Sequence, residues 1–158
     1  MIDLRPRSSM VIERARRAGV GFHLLPSSSA EPIRDSVASA FTVPEFARWK
    51  QYQWTWLWSG LAPGAYASVY ETDPYSDLDD FLISRPYVMF FNYDEDKAVI
   101  LFPSDTAISR LTQPDEIDEF YVTSESADFL LCYNHEQVLL GCGDAMTWMK
   151  TYYFAENE

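Results

Sequence analysis

Cys132-Tyr133-Asn134-His135-Glu136, with Cys142 a little further on, brings two thiols, an imidazole and a carboxylate into one short span. Two chemistries suit those residue types. A structural zinc site needs four deprotonated nitrogen or sulfur ligands in paired spacing. Here one histidine and two cysteines would need a fourth ligand such as Asp144, and the second pair is lacking. A cysteine nucleophile needs a base within hydrogen-bond reach, and if Cys132 ends a strand, His135 lies just beyond it around a turn. The competing reading is a buried thiol on a strand, with Asn134 and His135 making the hydrogen bonds of the turn. His23, the other histidine, sits in a short apolar run and reads as a half-buried side chain. Asp73, Asp77, Asp79 and Asp80 invite a calcium reading. The EF-hand loop, however, requires Gly at its sixth position and Glu at its twelfth, where this chain has Leu78 and Ser84. No spacing favours paired glycosidic carboxylates, and neither a Gly-rich phosphate loop nor a Gly-x-Ser-x-Gly elbow is present. No metal and no cofactor are therefore expected.

The second distinctive cluster is Trp49, Trp54, Trp56 and Trp58. Aromatics fill cores and also dominate binding hot spots. If Trp54 to Trp58 is a strand, its three tryptophans share one face and Thr55 and Leu57 the other, so inward Thr55 and Leu57 would leave the indoles exposed.

Charge narrows the partner class. Residues 1–50 carry eight Lys/Arg against five Asp/Glu, whereas residues 51–158 carry four against nineteen, and the chain's net charge is −12. The acids gather at Glu71 to Asp80, Asp94 to Asp96 and Asp115 to Glu119, beside Pro, Ser or Asn. Such a surface repels phosphate backbones and suits a basic protein. Arg5, Arg7, Arg14, Arg16 and Arg17 are the exception. The last three fall in a helical window, as the solvated face of a helix whose Met10, Val11, Ala15 and Ala18 face inward.

The 158 residues suit one globular domain, here 1–158, and 47% apolar with 23% charged residues argues against global disorder. No run approaches the roughly 18 apolar residues that span a bilayer, and the N-terminus lacks the apolar core of a secretory signal. Two cysteines are too few for a disulfide framework, so reduced thiols and a cytoplasmic location are expected.

The elements that must position these residues follow from periodicity and breakers. Ser8 or Ser9 can cap a helix to about Ala18, with Gly19 as its left-handed terminator. Val20 to Leu24 reads as a strand. Glu31 to Phe41 reads as a helix with Pro32 in its first turn and Ile33, Val37 and Phe41 as its buried stripe. A helix from Phe46 to about Gln51 leads into a strand through Trp58. Ala65 to Tyr70 reads as a strand, and Leu78 to Ile83 as one helical turn. Tyr87 to Asn92 and Lys97 to Phe102 form a central hairpin. A short helix ends near Leu111. Phe120 to Thr123 pairs with Phe129 to Tyr133, both buried on two faces. Gln137 to Leu140 and Trp148 to Phe154 suit either strand or helix, with Gly141-Cys142-Gly143 as a turn. Helices first and strands later give an α+β fold, N-terminal helices packed on a mostly antiparallel sheet as a single layer pair.

At Glu119-Phe120-Tyr121-Val122, Asp128 to Glu136 and Val138-Leu139-Leu140-Gly141, and again at Trp54-Thr55-Trp56-Leu57-Trp58, the chain resembles a family of small bacterial domain proteins whose motifs identify no reaction. It departs from that pattern at Tyr133, where Glu is expected, and at Phe129, where Trp is expected. By size and charge the chain is also similar to the immunity proteins that accompany bacterial toxins. The resemblance implies a non-catalytic binding protein that covers a basic toxin. Its contacts would be Asp77, Asp79, Asp80, Asp94, Glu95, Asp96, Asp115 and Glu116, with Trp54, Trp56 or Trp58 as anchors. A small enzyme using Cys132 and His135, and a homodimer burying its aromatic face, are the alternatives.

Overall fold

The computed structural model describes residues 6–48, 56–103, 105–112 and 117–154. The elements run α1 (Arg7–Arg17), β1 (His23–Leu24), α2 (Ser27–Phe41), α3 (Pro44–Arg48), β2 (Tyr66–Tyr70), α4 (Tyr75–Leu82), β3 (Tyr87–Phe90), β4 (Val99–Phe102), β5 (Phe120–Thr123), β6 (Phe129–Tyr133), β7 (Val138–Gly143) and α5 (Asp144–Phe154). Single 3₁₀ turns occupy Leu57–Gly60 and Ile108–Arg110. The strands form one seven-stranded sheet, order β1-β4-β3-β5-β6-β7-β2, with every neighbouring pair antiparallel.

The α+β class and the antiparallel sheet agree with the sequence. The layering is different, because the central strands are apolar at every position and period-two alternation gives them two faces to bury. Tyr87, Met89, Phe120, Val122, Leu131 and Tyr133 pack against α1, α4 and α5. Val88, Phe90, Tyr121, Leu130 and Cys132 pack against α2 on the other side. Helices therefore cover both faces, in place of a single layer pair.

Several local expectations hold for the reasons given. α1 ends in a Schellman motif, Val20 N–H donating to the Ala15 carbonyl and Gly19 N–H to that of Arg16, with Gly19 at φ +70°. Others need correction. Pro26 precedes α2, so the helix starts a turn earlier than Glu31 and Pro32 lies inside it. No strand reaches Trp58, because the chain turns into the 3₁₀ helix at Leu57. Gly141 and Cys142 lie within β7, opposite Leu131 and Leu130, and α5 follows directly. The α1 cap comes from far along the chain, where Asp96 Oδ2 accepts the Ser8 N–H at 2.8 Å.

Gly143 turns the chain from β7 into α5 at φ +61°, and a Cβ there would lie 2.4 Å from the Asp128 carbonyl oxygen. At Gly19 the same left-handed backbone opens onto free space. We expect Gly19→Ala to cost about 1–2 kcal/mol from backbone strain alone, and Gly143→Ala at least about 3 kcal/mol because a backbone oxygen must also move. Urea unfolding of the two variants checks this; equal losses would contradict the close approach.

Candidate functional site

One end of the sheet carries a polar network inside the α2 face. Asn92 follows β3, Glu119 precedes β5, and the turn Asn134 to Gln137 joins β6 to β7. Phe90 pairs with Tyr121, and Tyr121 with Cys132, all on that face. Two residues along, period two brings Asn92 and Glu119 to it as well. The turn is built by Asn134, whose Oδ1 accepts the Glu136 N–H at 3.0 Å and the Val138 N–H at 3.1 Å, with Gln137 at φ +61°.

The centre is the Glu119 carboxylate, only 2% exposed. Oε1 accepts the Trp58 indole N–H at 3.2 Å, the His135 backbone N–H at 3.2 Å and a hydrogen bond from His135 Nδ1 at 2.9 Å. Oε2 accepts from Asn92 Nδ2, and Asn92 Oδ1 accepts the Tyr121 hydroxyl at 2.8 Å. The Tyr121 oxygen in turn accepts the Trp58 backbone N–H at 3.4 Å. An acceptor-only carboxylate surrounded by N–H donors satisfies the requirement that buried polar groups be paired. The network ties the Trp56 to Gly60 segment and the β6–β7 turn to the sheet.

What it supports is an aromatic surface. Trp56 stacks on Trp58 with centroids 5.4 Å apart and planes 10° from parallel. The His135 ring lies 4.9 Å from Trp56 and 6.1 Å from Trp58. Trp56 remains 43% exposed, and the His135 side chain about a third exposed. With Nδ1 donating to Glu119, the neutral ring leaves Nε2 as an acceptor. Within hydrogen-bonding range of Glu119, His135 is the one side chain among the described residues able to carry positive charge.

The structure brings Trp56, Trp58 and His135 together, with Asp94 and Glu136 exposed on adjoining turns. Asp77, Asp79 and Asp80 lie instead on α4, which packs on the opposite sheet face. Asp77 accepts the hydroxyls of Tyr152 and Tyr153, both at 2.7 Å, and Asp79 accepts the Ser109 N–H and hydroxyl. Asp80 faces solvent. Glu95 pairs with Arg7, and Asp96 also accepts the Ala98 N–H at 3.1 Å. Trp49, Trp54, Asp115 and Glu116 lie outside the described residues.

The thiols do not fit a nucleophile. Cys132 has no exposure, and burial, with Glu119 nearby, pushes its thiol well up. Burial also pushes Cys142 up to about 12. Both are held protonated, the opposite of an activated thiolate. Among the described residues no group of His, Cys, Asp and Glu is placed to hold a metal ion. No helix among them is long and apolar enough to cross a membrane.

The sequence points to His135 and the tryptophans, whereas Glu119 appears there only within an acidic run and a motif with no role attached, and Asn92 only as the end of a strand. The available signal was a lone carboxylate leading an otherwise apolar strand, Glu119-Phe120-Tyr121-Val122. In comparisons with known proteins, no family model, curated protein or solved structure matches this chain.

Two outcomes test this geometry. Glu119→Ala leaves the donors of Trp58, Asn92 and His135 without their acceptor, which should lower stability by about 3 kcal/mol. It should also weaken the exciton couplet of the stacked tryptophans in far-ultraviolet circular dichroism; an unchanged couplet would show that the stack does not depend on Glu119. For the thiols, a disulfide reagent at neutral pH should find neither cysteine in the native protein and both after denaturation. Rapid native reaction at Cys132 would contradict its burial. Since the folded thiols ionise at higher pH than unfolded ones, their contribution to stability is complete below about pH 8.5 and is lost as pH rises from there toward 12.

Proposed function

We propose that this chain is a binding protein whose contact surface is the Trp56–Trp58–His135 platform, and that its partner is a basic protein. The observation that carries the reading is an exposed indole, Trp56, stacked on Trp58, whose own indole N–H bonds a buried carboxylate with no Lys or Arg among the described residues in its hydrogen-bonding shell. Aromatic side chains fixed in place lose little freedom on binding and serve as anchors. An arginine laid on the exposed part of the Trp56 indole would gain a cation–π contact, and Glu136, exposed and next to His135 in the chain, adds negative charge to that turn. The chain's net charge of −12 speeds encounter with a basic partner and selects against nucleic acid.

An immunity-type role, neutralising a basic bacterial toxin by covering its cleft, is the form of this reading that size and charge support. The acids then divide their work. Asp77, Asp79, Glu95 and Asp96 are engaged within the fold, so the rim nearest the platform supplies the specific contacts and the remaining acids act through the long-range field.

The test is affinity purification from the source cells at low salt. The native chain should retain one stoichiometric basic protein whose toxicity it suppresses. Trp56→Ala should fold normally yet weaken that complex by about 30-fold or more, the scale of an anchor residue. Equal retention by the variant, or a preparation without partner, would contradict the proposal.

A further inference from the structure

The two sheet edges differ in what they offer. β1 has only His23 and Leu24, too short to template another strand. β2 runs Tyr66-Ala67-Ser68-Val69-Tyr70 with no charge, no proline and no bulge, in a chain that is otherwise strongly acidic. Tyr66 and Tyr70 are 39% and 64% exposed.

The direction of its backbone groups follows from the register. The Glu71 N–H donates to the Gln137 carbonyl at 2.9 Å, and Tyr70 stands opposite Val138. In an antiparallel pair hydrogen-bonded and non-bonded positions alternate, so Ala67, Val69 and Glu71 bond to β7. The N–H and C=O groups of Tyr66, Ser68 and Tyr70 point away from β7, and none has a hydrogen-bond partner among the described residues.

We propose that β2 pairs antiparallel with β2 of a second copy about a two-fold axis at Ser68, joining two seven-stranded sheets into one. The sequence is self-complementary for that operation. Ser68 meets Ser68 of the other copy, Tyr66 meets Tyr70, and Ala67 meets Val69. Because the free groups sit at 66, 68 and 70, and this register sets 66 against 70 and 68 against 68, every outward group finds an outward partner. A shift by one residue would set outward groups against inward ones and the tyrosines on opposite faces. In the symmetric register the tyrosines form two cross-strand aromatic pairs on one face.

Charge also selects this register. Glu71 lies opposite Ala65 of the other copy, and the two Glu71 residues are six steps apart, about 20 Å at the antiparallel rise and beyond the screening length at physiological salt. An edge contact of this size is small, so the dimer should depend on concentration.

The experiment is light scattering from about 1 µM to about 1 mM, combined with amide hydrogen exchange at both ends of that range. The native chain should pass from monomer toward dimer. The amides of Tyr66, Ser68 and Tyr70 should slow at least about tenfold at high concentration, while those of Ala67 and Val69 stay protected throughout. Ser68→Lys, at an exposed position, sets two ammonium groups opposite each other and should remain monomeric with an unchanged circular dichroism spectrum. Monomer at every concentration, a dimer that survives Ser68→Lys, or protection that does not alternate along β2 would each overturn the proposal.

Discussion

The interaction on which the site depends is the burial of one carboxylate. Taking Glu119 out of water is costly unless its lone pairs are met, and donors from three separate stretches of chain meet them: Asn92 after β3, Trp58 in the 3₁₀ turn and His135 in the β6–β7 turn. Each donor fixes the segment that carries it. A network of this kind is sensitive, since removing its centre leaves several buried donors unmet at once. The same donors set Trp58 and His135 beneath Trp56, so the order of the exposed aromatic cluster rests on the buried carboxylate.

Around that site the sheet provides an unyielding floor. Its central strands are buried on both faces, Phe90 stacks on Tyr121 at 5.1 Å, and helices lie on each side. The loops carry much of the charge, and part of that charge holds them in place. Asp96 caps α1, Arg7 joins Glu95 and Asp118, and Asp77 holds two tyrosines of α5. A net charge of −12 is thus compatible with a compact fold, because several acids accept hydrogen bonds from N–H and hydroxyl donors that would otherwise be unmet.

How much of this was legible beforehand varied with the physical signal. The hairpin β3–β4 and the pair β5–β6 announce themselves as β-branched and aromatic runs broken by polar turns, and the structure has them within a few residues. The Gly19 terminator was equally readable. Gly141 and Cys142 read as a turn because glycine usually breaks strands, yet pairing with β6 overrides propensity there. The second helical layer was missed although the strands pointed to it, since runs apolar at every position need cover on both faces. For the site, residue types drew attention to Cys132, which burial silences, and to His135, which the fold uses. Glu119 stood in the sequence as one acid of a run and as the head of the Glu119-Phe120-Tyr121-Val122 motif, with nothing to say that it is buried, and Asn92 belongs to no motif; only the register of β3, β5 and β6 brings them together.

Glu119 holds His135 through Nδ1 and so orders the aromatic surface. Nitrogen-15 correlation spectra of the imidazole, recorded where the ring is neutral, read that bond directly. With Glu119 as acceptor the proton sits on Nδ1 and Nε2 is free as acceptor, and the tautomer should revert in Glu119→Ala. A ring that carries its proton on Nε2 in the native chain, or that shows the same tautomer with and without Glu119, would contradict it.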